Sequence, residues 1–181
     1  MATLLAMAPG TIEETAHAIA RARWLELRCF EILGGWVPSI PEPEVKVALA
    51  RQSHHHAWHA ELFDRVRPVA SGLEVTAEAA PAPPWLAVVS ELAALTTTAD
   101  RVAGAYGVLL PAKLAEYERW LLDVDPVRDA ALRRWLGFVV SDERADLAEG
   151  VGLLERVPGA DTAPGRAVME AALAAAGPLL A

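Results

Sequence analysis

Proline and glycine fall in clusters along this chain, and the stretches between the clusters carry a helical pattern too long for any other element. Residues 11–33 contain neither residue type. Thr11 with Glu14 three positions on is a capping-box pair, and Pro9-Gly10 supplies the turn ahead of it. Gly34-Gly35, then Pro38 and Pro41, predict the end of this first helix. A second helix is predicted over 43–67, with Pro43 in its first turn and Pro68 after its last. A third covers about 84–123, kinked at Pro111, where a donor is missing and the preceding turn is crowded. A fourth spans 126–156, and a short Ala-rich fifth spans about 162–176. No alternating segment is long enough for a strand, and there is no internal repeat.

The connections constrain the topology. Short links join helices one and two and helices three and four, which makes each pair antiparallel. Residues 68–84 are different, with four Pro and one Gly in the segment. At ~3.1 Å per residue an extended Pro-rich stretch of this length reaches ~50 Å. A helix of the predicted length is only ~35–38 Å long. The connection can therefore return along the whole bundle and start helix three parallel to helix two. The expectation is one all-α domain, 1–181, of two antiparallel pairs joined by a long crossover, with a surface loop in a simple up-down bundle as the alternative.

Twenty-four acidic residues against sixteen basic ones give a net charge of −8, which argues against nucleic acid and anionic membranes as partners. A hydrophobic share of 54% with 22% charged residues excludes a disordered chain. No uncharged apolar run reaches the ~18–20 residues that span a bilayer. The lone Cys29 forms no internal disulfide, in keeping with a reducing cytoplasm. The expected setting is cytoplasmic, with a small molecule as substrate and a homodimer as the assembly to test.

Rotation by 100° per residue sorts each helix into faces. The first has an inward stripe of Ile12, Ala16, Ile19, Arg23, Leu27 and Phe30, with Glu26 about 60° from Arg23. The second turns Gln52, His56 and His59 inward among Val45, Leu49, Phe63 and Val66. The third is apolar inside, through Tyr106, Leu110, Leu114 and Tyr117. On the fourth, an inner side of Ala131, Trp135, Phe138, Val139 and Leu153 aligns Asp142, Asp146 and Glu149 in one column. Inward polar groups are costly unless paired, and charges more so. Their shared height near the middle of three helices predicts a single polar layer.

Glu26, the His56/His59 pair and Asp142/Asp146, each on a different helix, resemble the site of the ferritin-like dimetal carboxylate proteins, a family that includes iron-dependent oxygenases, oxidases and desaturases. Segments 31–36 and 53–61 are also similar to uncharacterised actinobacterial ferritin-like proteins. The resemblance covers residues 11–156. It implies a ferritin-like four-helix bundle with one long crossover, to which the short C-terminal helix is an addition. It further implies metal ligands among Glu26, His56, His59, Asp142 and Asp146, one or two Fe ions, and oxidation of a small apolar substrate in secondary metabolism. The family's Glu-x-x-His is absent from helices two and four, where His56-x-x-His59, and Glu143-x-x-Asp146 with Asp146-x-x-Glu149, stand instead. A single ion held by His56, His59 and a carboxylate from Glu26 or Asp142 is chemically simpler and suits Fe(II) or Zn(II).

Two other readings use the same residues. Without metal, His56 or His59 acts as a general base oriented by Asp142 or Asp146, while Arg23 holds an anionic group, as a cyclase, isomerase or lyase requires. Alternatively, Arg23–Glu26 and His–Asp pairs form a buried network in a structural or ligand-binding dimer without catalysis.

Overall fold

The computed structural model describes residues 11–69, 72–73 and 83–180, and among them there are seven α-helices and no strand. Helix α1 (Ile12–Trp36) begins as expected: the Glu14 amide donates to Thr11 Oγ1 (3.1 Å) and the Thr11 amide to Glu14 Oε2 (2.6 Å). It runs three residues past its expected end, through Gly34 and Gly35. A Cβ on Gly34 would lie 3.4 Å from Ser53 Oγ, an ordinary contact distance, so this glycine neither ends the helix nor is demanded by the packing of α2 against it. A 3₁₀ turn, Val37–Ser39, leads to α2 (Pro43–Val66), which has Pro43 in its first turn as expected.

The predicted third helix is two pieces. Helix α3 (Pro83–Ala94) stops before a run of threonines, and Thr97 caps α4 (Thr98–Gly104) by accepting from the Asp100 amide at 3.1 Å. Thr side chains compete well at caps, which decides for a break here. From α4 the chain passes through one π-helical turn, Ala105–Leu109, into α5 (Leu110–Asp123). In that wider turn the Leu110 amide reaches the Ala105 carbonyl. The distortion expected at Pro111 is thus taken up one turn earlier, and helicity continues through the proline. Helix α6 (Ala130–Arg156) starts later than expected, because Asp125 Oδ1 accepts from the amides of Val127 (2.8 Å) and Arg128 (2.7 Å) and holds a turn over Pro126. Helix α7 (Pro164–Ala176) packs against α3 and α4. It meets α4 at two glycines: the Gly165 amide donates to Asp100 Oδ1 (2.8 Å), and a Cβ on Gly104 would come within 3.0 Å of Met169.

Residue pairings give the helix directions. Arg23–Asp64, Glu26–His59 and Gly34–Ser53 make α1 and α2 antiparallel. Glu44–Arg156, Gln52–Glu149 and His59–Asp142 do the same for α2 and α6. Tyr106–Gly150, Lys113–Glu143 and Leu121–Arg133 make the α4–α5 unit antiparallel to α6. By contrast, Gln52–Tyr106, His56–Lys113 and Phe63–Trp120 rise together, so α2 and α4–α5 run parallel. The connection expected at 68–84 falls mostly outside the described residues. One continuous core, including Ile19, Leu25, Leu49, Phe63, Tyr106, Leu136 and Leu153, fills the space between these helices. No helix of the described residues is long and apolar enough to cross a membrane.

Candidate metal centre

Four helices each place charged or polar side chains at one level of the core. Helix α1 brings Glu26, α2 brings His56 and His59 from successive turns, α5 brings Lys113 and Tyr117, and α6 brings Glu143. None of the six is more than 1% exposed. The helical spacings explain the pairing: His56/His59 at i, i+3 and Lys113/Tyr117 at i, i+4 each share a face.

The contacts are dense. His56 Nδ1 donates to Glu26 Oε2 at 2.7 Å and lies 3.3 Å from Glu143 Oε1. His59 Nδ1 lies 3.4 Å from Glu26 Oε2 and 3.2 Å from Glu143 Oε1. Lys113 Nζ donates to Glu26 Oε1 (2.9 Å) and Glu143 Oε1 (2.7 Å), and sits 3.2 Å from His56 Nδ1. The Tyr117 hydroxyl donates to Glu26 Oε1 at 2.8 Å.

Burial alone would neutralise such groups, and their mutual fields reverse that. For Glu26, burial pushes the carboxyl up, but Lys113 and the hydrogen-bonded histidines hold it well below the ordinary carboxylate range. Glu143 is likewise lowered, by Lys113 and His56 against burial and the charge of Glu26. Lys113 is raised: the two carboxylates outweigh its desolvation. Burial works against charge on His59, but Glu143 and Glu26 beside it lift the imidazole to about 10. Tyr117 is pushed up by burial and by the same two carboxylates. The metal-free cluster is therefore a set of paired charges in a dry interior.

The donor set fits a metal ion. One atom each from Glu26, His56, His59 and Glu143 can be chosen so that all lie within 4.8 Å of one another. Metal–ligand bonds of ~2.0–2.2 Å separate neighbouring ligand atoms by about 2.8–3.6 Å in octahedral or tetrahedral sets. The carboxylate–imidazole distances here run from 2.7 Å to 3.4 Å. His59 Nδ1 is buried without an aligned hydrogen bond, although two carboxylate oxygens flank it. Its other nitrogen, Nε2, faces Asp142 Oδ2 at 3.3 Å, the outer partner that commonly turns a ligating imidazole's lone pair inward. His56 Nε2 is also buried with no partner.

Of the residues singled out from sequence, Glu26, His56 and His59 come together here. Asp142 touches His59 from outside the cluster, with its side chain 47% exposed. Asp146 contacts His55 Nδ1 at 2.8 Å, not His56 or His59, and burial raises its carboxyl. Arg23 places Nε 3.4 Å from Asp64, and the cation that bonds both Glu26 and Glu143 is Lys113. The buried face of α6 is Leu132, Leu136, Val139, Val140, Glu143, Asp146, Gly150 and Leu153. Phe138, expected inside, is 48% exposed. That rotation exchanges Asp142 for Glu143 as the inward carboxylate. Both residues leave a trace in the sequence: Lys113, absent from the expected set, falls about 40° from Tyr117 on the α5 stripe, and Glu143, present in the Glu143-x-x-Asp146 spacing but expected off the inner column, falls in line with Leu136 and Val139.

Comparisons with protein-family models, with curated proteins and with solved structures find no match for this chain.

Proposed function

We propose that this chain is a ferritin-like bundle that holds a metal ion, iron foremost, between Glu26, His56, His59 and Glu143, and serves as a small oxidase or oxygenase. The observation that carries this reading is the convergence of two carboxylates and two imidazoles at ligand spacing, all sealed from solvent. Hard oxygen donors combined with imidazole suit Fe(II), Mn(II) or Zn(II), and only the first two exchange electrons. The parallel course of α2 and α4–α5 supports the family reading.

A bound iron ion would supply the one-electron chemistry toward dioxygen that side chains lack. The chain's own residues do the rest. Asp142 keeps the His59 ring turned so that Nδ1 faces the carboxylates. Tyr117 fixes one Glu26 oxygen and leaves Oε2 toward the histidines. The low dielectric of the core strengthens each of these interactions. Two clefts among the described residues, one of 240 Å³ beside Ile12, Ile19 and Leu132 and one of 290 Å³ beside Ile32, Trp36 and Ala93, border none of the six cluster residues. With none of the six side chains more than 1% exposed, the reactant this reading calls for is very small, dioxygen or peroxide.

A second reading rests on Lys113. Its ammonium already bonds both carboxylates, and a network satisfied in this way can stabilise a bundle without metal. Metal analysis separates the two. Untagged protein reconstituted anaerobically with Fe(II) is expected to retain iron after desalting, and His56→Gln/Glu143→Gln is expected to lose it while remaining helical. Retention of no metal by the wild type would overturn the oxidase reading and leave the network as a structural device.

A further inference from the structure

We infer that Lys113 is a built-in cation standing where a second metal ion would bind, and that it limits this centre to one ion. The inference rests on the metal-binding reading and adds a residue that sets the capacity of the site.

The argument starts from how the oxygens are shared. Glu26 turns its two oxygens to different neighbours: Oε2 to His56 and His59, Oε1 to Lys113 and Tyr117. Glu143 Oε1 is held in common, 2.7 Å from Lys113 Nζ and 3.2 Å from His59 Nδ1. Lys113 Nζ also lies 3.2 Å from His56 Nδ1, so it borders the ligand set, and one cation fits beside it toward His59 and Glu26 Oε2. In two-metal sites the ions sit about 3.5–4 Å apart and share bridging carboxylates. A second ion here would need the oxygens that face away from the histidines, Glu26 Oε1 first among them. That position is taken by Nζ, which bonds oxygens of both carboxylates at 2.7 and 2.9 Å.

Charge leads to the same conclusion. Two carboxylates, one ammonium and one divalent ion carry a net charge of about +1, whereas a second divalent ion beside Lys113 would raise it to about +3 in a sealed core. The remaining acidic side chains nearby are engaged elsewhere, Asp142 at His59 Nε2 and Asp146 at His55. Lys113 cannot swing out to make room, since it is 1% exposed and its stem is enclosed by the core. Arginine supplies fourteen of the sixteen basic residues of this chain, and lysine only Lys46 and Lys113. A compact ammonium matches a metal-sized position better than a planar guanidinium does.

The test is metal stoichiometry, read by equilibrium dialysis against Mn(II) with elemental analysis and by electron paramagnetic resonance of the loaded, full-length protein. The wild type is expected to saturate at one Mn(II) per chain with the six-line spectrum of an isolated ion. Lys113→Met, produced in the presence of Mn(II), is expected to take up two and to show a spin-coupled pair. Folded Lys113→Met that still saturates at one would overturn the inference and leave the metal-binding reading intact. If Lys113→Met does not fold, the wild type decides alone: two ions or a coupled spectrum would refute the limit, and one isolated ion bears it out. A wild type that binds no Mn(II) or Fe(II) would remove the metal reading itself, and with it this inference.

Discussion

The Glu26–His56–His59–Lys113–Glu143 cluster and the Tyr106–Gln52–Glu149–Arg51 network both tie α2 to α6, yet they distribute their charges in opposite ways. In the second, the Tyr106 hydroxyl donates to Gln52 Oε1 (2.7 Å) and Gln52 Nε2 donates to Glu149 Oε2 (2.7 Å) and to the Asp146 carbonyl (3.3 Å). The buried members are a phenol and an amide. The charged pair, Arg51–Glu149, sits at the rim with side chains 49% and 34% exposed. A bundle that only needs its helices registered can do it this way, with neutral groups inside and ions in water. The first cluster instead buries five ionisable side chains from four helices, each with a large desolvation cost that only its partners offset. Strongly perturbed groups gathered in that manner mark a functional site more often than a structural one.

Deleting one charge from each region gives the sharpest contrast. Glu26→Ala in metal-free protein leaves Tyr117 without its acceptor and Lys113 and His56 with Glu143 alone, and is expected to cost about 3–5 kcal/mol, the usual penalty for breaking a buried ion pair. Urea denaturation followed by circular dichroism measures it. A loss below about 1 kcal/mol would mean that solvent reaches the cluster and that the two regions are alike. Next in size is Gly150→Ala. A methyl there would overlap the Tyr106 ring, so overpacking of about 1–3 kcal/mol is expected. In a Tyr106→Ala background the same substitution should cost almost nothing, and that non-additivity is the readout. Additive losses would show that α6 does not approach the π-helical turn as closely as the packing indicates.

The part of this arrangement that was legible in sequence is the part set by local rules. Capping at Thr11, the proline at position 43 and the inward histidines at i, i+3 all act within one or two turns, and the structure keeps them. What failed depends on choices between elements. Thr96 and Thr97 could have continued a helix, and the cap bond to Asp100 tips the segment to a break. The α6 segment is apolar around much of its circumference, so its rotation is fixed only by its neighbours, and Glu143 faces in where Asp142 was expected. No local rule marks Lys113 as inward, because lysine is ordinarily a surface residue. Its burial makes sense only once Glu26 and Glu143 are known to arrive from two other helices, which is tertiary information.

Titration separates the regions next. Glu26 and Glu143 have folded values below their ordinary 4.5, so the stability they lend is complete above that pH and is lost as pH falls through the folded values. His59 is raised from 6.5 to about 10, so its contribution is complete below 6.5 and is lost as pH rises through 10. Metal-free protein should thus be most stable between roughly pH 4.5 and 6.5, with urea midpoints falling steadily toward pH 10. His59→Gln should flatten that alkaline decline. Glu149→Gln should leave it in place, since Glu149 is held low by Arg51 at a solvated rim. An alkaline limb that survives in His59→Gln would assign it to some other group.

The smallest expected effects come from the rim network, and they bound the whole comparison. Tyr106→Phe removes the donor to Gln52 Oε1 and should cost about 1–2 kcal/mol, the price of one unsatisfied buried acceptor. Glu149→Ala should cost less, about 0–1 kcal/mol, because water can replace the carboxylate at Arg51 and part of its work at Gln52. Its effect should also shrink in 1 M salt, where the Debye length is ~3 Å, whereas the cost of Glu26→Ala should not. The salt response is the decisive quantity here, since it reports solvent access directly and does not depend on how large either loss is. Equal salt sensitivity at Glu26 and Glu149 would place both carboxylates in water, and a sealed ligand set would then be the wrong description of the centre.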